Sequence, residues 1–193
     1  MAKASNLPGY EFLEPIGAGA ESVIYRARAL TNGEIVAVKD IQVDHRDKHK
    51  YLRHAENEYR VLRDLHARSN GQGMPGIVRV HRLMRSGWLR RNKRYSIVME
   101  FLEGQDLRRE RRYPFGQLID IFYQVSGALS RLHAAGIVHG DLKPENIIVS
   151  PTGEATLVDF GFSCRAGSLA ASIRGTRDYM APEQVDMGRI TEQ

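Results

Sequence analysis

His139-Gly140-Asp141-Leu142-Lys143-Pro144-Glu145-Asn146 is the stretch on which the reading of this chain turns, and Asp159-Phe160-Gly161 follows it just after a strand-like run. The two acids suit different tasks. One carboxylate can accept a proton from an attacking hydroxyl, and the other, with the Asn146 amide oxygen, supplies hard oxygen ligands for magnesium. Lys143 can neutralise charge on a transferring phosphoryl group. Read blandly, these are two unrelated turns with solvated acids, but that would leave several ordered matches elsewhere in the chain to coincidence.

Between the two segments, Asn146 to Val149 and Ala155 to Val158 are short β-branched runs around Pro151-Thr152-Gly153, which predicts a hairpin. Upstream, Leu118, Ile121, Phe122, Val125, Leu129 and Leu132 share a helical face, and the helix is expected to run from about Pro114 to Ala135 and stop at Gly136. The first third alternates instead. Ser22 to Ala29 and Glu34 to Val43 flank Thr31-Asn32-Gly33, a tight hairpin signal. The period then changes over Asp47 to Ala67, where Tyr51, Ala55, Glu58, Leu62 and Leu65 recur at spacings of four and three. Two further strands are expected at Ile77 to Met84 and Arg94 to Leu102. A sheet-rich lobe thus precedes a helix-rich one, with the boundary near Leu102 to Asp106.

Two features of the first lobe carry chemistry. Gly17-Ala18-Gly19 lies between strand-like runs, where glycine lets backbone N–H groups approach a phosphate, although an ordinary glycine hairpin reads the same way. Lys39 closes the apolar run Ile35-Val36-Ala37-Val38. A lysine there is commonly a surface charge, yet Glu58 on the apolar helical face would be costly to bury alone, and a Lys39–Glu58 pair would neutralise it.

From about Tyr10 onward these residues together resemble the protein-kinase motif set, of the eukaryotic-type serine/threonine class. The resemblance implies an α+β, two-lobed protein-kinase-like fold: a lead-in over 1–9, an N-lobe over 10–102 built from an antiparallel sheet with one helix, and a mostly helical, partial C-lobe over 103–193. It implies ATP in the cleft, with Gly17 and Gly19 over the phosphates and Lys39 on the α- and β-phosphates while pairing with Glu58. Ile24 joins the nucleotide set. Ala37 and Ile148 sandwich adenine, Met99 is the gatekeeper, Glu100 to Leu102 form the hinge and Asp106 binds ribose. Asp141 becomes the catalytic base, assisted by Lys143, and Asn146 and Asp159 hold Mg2+. Lys143, and Gly175-Thr176 before Tyr179-Met180-Ala181-Pro182-Glu183, resemble serine/threonine rather than tyrosine kinases, so the expected partner is a protein with a Ser/Thr acceptor.

Three departures matter. Ser22 stands where a third glycine is usual. Gly140 replaces the arginine beside the catalytic aspartate, and glycine has no guanidinium to capture a phosphate. Activity is therefore expected not to depend on an activation-loop phosphate held by the catalytic loop, although Ser163, Ser168, Ser172 and Thr176 are acceptors there, near Arg165, Arg174 and Arg177. The sequence also stops at Gln193, before the helices that follow Ala-Pro-Glu in that family, so the printed chain is expected to be a fragment, weakly active and poorly stable by itself. Two rivals stand beside this reading. One is a catalytically silent kinase-like binding module; the other is a small-molecule kinase of the aminoglycoside phosphotransferase type, which shares His-Gly-Asp but lacks a counterpart of Gly175 to Glu183.

Composition sets the outer bounds. With 193 residues and 42% hydrophobic content the chain can bury a core, which excludes disorder as the starting assumption. A net charge of +5 would attract an anionic partner without selecting one. Cys164 is the single cysteine, so no internal disulfide can form, and a cytoplasmic setting is expected. No signal peptide or membrane-spanning run is recognisable. Arg82, Arg85, Arg90, Arg91, Lys93 and Arg94, and again Arg108, Arg109, Arg111 and Arg112, read as solvated faces, with docking to an acidic partner ranked below that. No nucleic-acid partner is expected, since aromatics are not interleaved. His45 and His49 are spaced as two ligands on a helix, but without further ligands they read as exposed histidines.

Overall fold

The computed structural model describes residues 7–19, 22–41, 48–69, 73–86, 94–109, 112–169 and 175–191, with side chains of the first helix described from Tyr51 onward. Contacts divide the chain into one unit of Met1–Tyr59 with Val80–Phe101 and a second of Arg60–Arg79 with Leu102–Gln193.

The first unit is built on strands β1 (Tyr10–Ala18), β2 (Ser22–Ala29), β3 (Ile35–Ile41), β4 (Val80–Ser86) and β5 (Arg94–Glu100), in the antiparallel order β1-β2-β3-β5-β4. Alternation decides which side chains meet, because directly paired residues share a face. Val36, Val38, Ala27 and Val98 form a buried cluster on one face, closed by Leu7. Asp40 continues that face and is fully buried at 0% exposure, accepting hydrogen bonds from Arg94 and from Ser96 Oγ at 3.0 Å. Arg94 is therefore no solvated charge, contrary to the expectation for its cluster. Arg82 is exposed, and Arg85 pairs with Glu56 at 3.0 Å. Arg90, Arg91, Lys93, Arg111 and His45 lie outside the described residues, as does the side chain of His49.

The opposite face carries Ala37 and Lys39, with Ile24 paired to Lys39, Ile97 to Lys39 and Met99 to Ala37. Helix α1 (Lys48–Arg68) covers nearly the span expected, and of the five stripe positions Ala55, Glu58, Leu62 and Leu65 are buried while Tyr51 is half-buried.

The strand expected at Ile77 to Met84 begins later, at Val80. Ile77 makes an isolated parallel bridge to Leu157, Val78 N–H donates to Leu157 O at 3.0 Å, and Leu157 N–H donates to Gly76 O at 2.8 Å. The apolar pair Ile77-Val78 thus belongs to the second unit's sheet, which local alternation could not reveal. β5 also stops two residues short of Leu102.

The second unit holds the two-residue strand β6 (Gln105–Asp106), helix α2 (Phe115–Ala134), strands β7 (Ile137–Val138), β8 (Ile147–Val149), β9 (Ala155–Leu157) and β10 (Cys164–Arg165), and the one-turn helix α3 (Pro182–Val185). The hairpin expected around Pro151-Thr152-Gly153 is β8 against β9. α2 ends as expected, with Gly136 at φ 71° donating to His133 O at 2.7 Å. Ile121, Val125, Ala128 and Leu132 are its buried positions. Phe122 is not one of them: at 59% exposure it joins Phe115, Ile119 and Tyr123 on a different, exposed face. One residue is 100° of helix, enough to move Phe122 off the core stripe. Each such side chain leaves roughly 1.5 to 3 kcal/mol of burial unrealised. Among the described residues no helix is long and apolar enough to cross a membrane.

Candidate active site

The sequence-selected residues fall into two groups, each within one unit. In the first, the β1–β2 register sets Gly17 opposite Ile24, and Gly19 N–H donates to Ser22 O at 2.8 Å. Neither glycine is demanded by the protein's own packing. A Cβ at Gly17 would meet Ile24 at an ordinary 3.6 Å, a Cβ at Gly19 would meet Ser22 Oγ at 3.4 Å, and neither residue has a positive φ. Lys39 Nζ lies 2.8 Å from Glu58 Oε2, with side chains only 14% and 2% exposed. The helix period thus places a carboxylate where the strand delivers its counter-charge. Met99 and Ala37 are buried cross-strand neighbours, and Glu100 ends β5.

In the second group Asp141 is the centre. Its Oδ1 accepts from Thr176 N–H at 2.7 Å and from Thr176 Oγ1 at 2.9 Å, and its Oδ2 lies 3.0 Å from Lys143 Nζ. Lys143 Nζ also donates to Thr176 Oγ1 at 2.8 Å, so hydroxyl, ammonium and carboxylate close a ring. Asn146 Nδ2 donates to Asp141 O at 2.8 Å and to Asp141 Oδ2 at 3.3 Å, which commits its amide hydrogens and leaves the amide oxygen as the accepting end. Asp159 has the left-handed φ of 63°, rare for a residue with a side chain. Asp106 faces Ile148 in the β6–β8 register, and its Oδ1 accepts from the N–H groups of Arg108 and Arg109. Leu102 is half-buried and opens the longer of the two stretches of chain that make up the second unit.

The two residues that precede Asp141 in the motif shape the site in ways the sequence does not announce. His139 is buried, and its Nε2–H donates to Val158 O at 3.2 Å while Nδ1 faces Asp141 N–H at 3.4 Å. That pattern uses the neutral ring. Burial holds its pKa below the ordinary histidine value, against the upward pull of Asp159, the Val158 bond and Asp141, with Lys143 adding to the depression. Because the unfolded chain then binds the proton more readily, this histidine costs no stability above pH about 6.5 and draws stability away as pH falls below it. His139→Gln, which never gains that charge, is expected to flatten the acid limb of a thermal-unfolding pH series; an unchanged limb would count against it.

Gly140 is required by its own geometry. Its φ is 80°, and a Cβ would stand 2.5 Å from Phe162 O. Gly140→Ala is expected to cost about 1 to 3 kcal/mol, and Gly140→Arg, which restores the residue usual in the resembling family, should be no more stable than Gly140→Ala. Urea unfolding of both proteins measures this, and wild-type stability in either would refute it. The expected acceptor hydroxyls are also tied down: Ser163 is buried and donates to His139 O at 3.0 Å, Ser168 Oγ donates to Arg165 O at 2.5 Å, and Thr176 is the Asp141 partner. Ser172 and Arg174 lie outside the described residues. Arg108 pairs with Glu145 at 2.7 Å and Arg109 with Asp106 at 3.4 Å, both on exposed arginines. Cys164 is half-buried on β10, opposite Val138.

A sheet unit with a buried lysine–glutamate pair, joined in one chain to a unit whose loop fixes an aspartate between an ammonium and a hydroxyl, defines the class. The family model for the protein kinase domain matches residues 10–193, and the chain belongs to that family. It is 32% identical over 189 residues to Aurora kinase of Schizosaccharomyces pombe, covering 95% of this chain and 50% of that protein. To the putative cyclin-dependent kinase F-2 of Oryza sativa subsp. japonica it is 35% identical over 189 residues, covering 91% and 54%. To cAMP-dependent protein kinase type 3 of Saccharomyces cerevisiae it is 30% identical over 186 residues, covering 93% and 43%. The chain spans about half the length of these curated relatives.

Proposed function

We propose that this protein is an ATP-dependent protein kinase that transfers the γ-phosphoryl group of Mg-ATP to serine or threonine hydroxyls of proteins. The observation that carries the reading is Asp141, buried and held by both Thr176 groups and by Lys143. A carboxylate so fixed can take the proton of an attacking hydroxyl without reorganising, and Lys143 stands ready to offset negative charge beside it.

The side chains fit the ATP and magnesium that the family implies. Asn146 has its Nδ2 committed to Asp141, so its oxygen is the end offered to a hard cation, and Asp159 would supply the second protein ligand. Among the described residues no group of three or more His, Cys, Asp or Glu is placed to hold a metal ion by itself, so other oxygens, from phosphate or water, would complete the set. Magnesium, when bound, supplies charge neutralisation at the phosphates. Gly17 and Gly19, which the fold itself does not need as glycines, suit close approach of phosphate to the backbone. Lys39 would meet the α- and β-phosphates, Ile24, Ala37, Met99 and Ile148 the adenine, Glu100 to Leu102 its edge, and Asp106 the ribose. The Lys143–Thr176 bond favours the serine/threonine class.

The test is incorporation of γ-phosphate from Mg-ATP into a mixed peptide library by the full chain. Phosphoserine and phosphothreonine are the expected products; phosphotyrosine alone, or phosphorylated small molecules alone, would overturn the reading.

A further inference from the structure

We infer that Gln184 is a positioning residue that locks the peptide plane between Gly140 and Asp141. This rests on the proposed phosphoryl transfer, because the residue acts only through Asp141. The peptide unit is rigid, so fixing the direction of its C=O and N–H fixes the rotation of the whole plane and the direction in which the Asp141 side chain leaves the backbone. Gly140 makes such a lock necessary. At φ 80° with no Cβ it sits in a region where glycine rotates freely, and the plane beyond it has no steric guide of its own.

Both ends of that plane are held by side chains. Asp141 N–H faces His139 Nδ1 at 3.4 Å, a long and weak contact. Gly140 C=O accepts from Gln184 Nε2 at 2.9 Å, an ordinary hydrogen bond and the stronger of the two restraints. Gln184 is itself anchored, since its Oε1 accepts from Ala181 N–H at 3.0 Å at the start of α3. The amide therefore has a fixed acceptor end and a fixed donor end, and it joins α3 to the loop. The surroundings are closed too: a Cβ at Gly175 would stand 3.1 Å from Gly140 O and 3.4 Å from Gln184 Nε2. The same stretch of chain thus holds Asp141 twice, through Thr176 on its carboxylate and through Gln184 on the carbonyl before it.

The bond can be divided chemically. Gln184→Glu keeps an oxygen for Ala181 N–H but, when ionised, has no donor for Gly140 O; Gln184→Met removes both functions. In the full chain, kcat for peptide phosphorylation is expected to fall about 10- to 100-fold in both, the usual consequence of a small misplacement of a reacting group, with KM for ATP unchanged. Gln184→Glu should recover toward wild type as pH falls and its carboxyl regains a proton, while Gln184→Met should not. Wild-type kcat in Gln184→Glu would show that Gln184 only caps α3, and equal loss in both variants without acid recovery would show a general loss of fold; either overturns the inference. Hydrogen exchange of the amides over residues 139–146 reads the lock without catalysis. Faster exchange in both variants is expected, and unchanged exchange refutes the lock even if the wild type proves to transfer no phosphate, an outcome that would separately sink the functional reading.

Discussion

Asp141→Asn is expected to lower the rate of phosphoryl transfer by about 100- to 10,000-fold, the share usually supplied by general acid–base catalysis. Asparagine is nearly the same size, so the loop is not required to move. Its amide oxygen can still accept from Thr176 N–H and Oγ1, which hold the present Oδ1 at 2.7 and 2.9 Å. What is lost is the second oxygen. An amide NH2 in that place cannot take a proton, and it would face Lys143 Nζ, donor against donor, where an ion pair of 3.0 Å now stands. Single-turnover incorporation of phosphate, with thermal unfolding as the control, separates the two effects. A variant that folds and transfers at the wild-type rate would remove Asp141 from the mechanism.

What was legible in the sequence is what is local. Asp141, Lys143 and Asn146 stand within six consecutive residues, and their mutual bonds form inside one loop, so a single short motif and its resemblance to the kinase set point to them together. Glu58 was legible because an acid in a helical apolar stripe needs a partner, and the apolar run before it is closed by Lys39. What stayed hidden joins distant parts of the chain. Thr176 to Asp141 spans 35 residues, Gln184 to Gly140 spans 44 and Ser96 to Asp40 spans 56. Neither partner of such a pair carries a period or a motif that points at the other. Asp40 shows this most sharply: it follows Lys39 directly, yet alternation sends it to the opposite face of the sheet, into a buried network with Ser96 and with Arg94, whose basic cluster reads in sequence as a solvated face. The misplaced start of β4 and the exposed Phe122 have a related cause. Periodicity identifies an apolar run without saying which sheet or which face will receive it.

Lys39→Met is expected to abolish measurable transfer and also to weaken the fold, and the two losses have different origins. Glu58 is 2% exposed and meets Lys39 Nζ at 2.8 Å. Removing one partner of a buried pair costs about 3 to 5 kcal/mol, because the remaining charge is deprived of its counter-ion in a place water hardly reaches. The functional loss is separate, since a thioether carries no charge to set against phosphate. A second substitution distinguishes them. In Lys39→Met with Glu58→Leu no buried charge is left behind, and well-packed apolar replacements of a buried pair are often neutral, so the double variant should regain most of the stability lost by the single one. Transfer should remain absent, because nothing has replaced the ammonium. Urea unfolding of the four proteins in the cycle gives the coupling directly. Wild-type turnover in Lys39→Met would mean that another lysine meets the phosphates, and a double variant as unstable as the single one would mean that Glu58 is not what makes the lysine costly to lose.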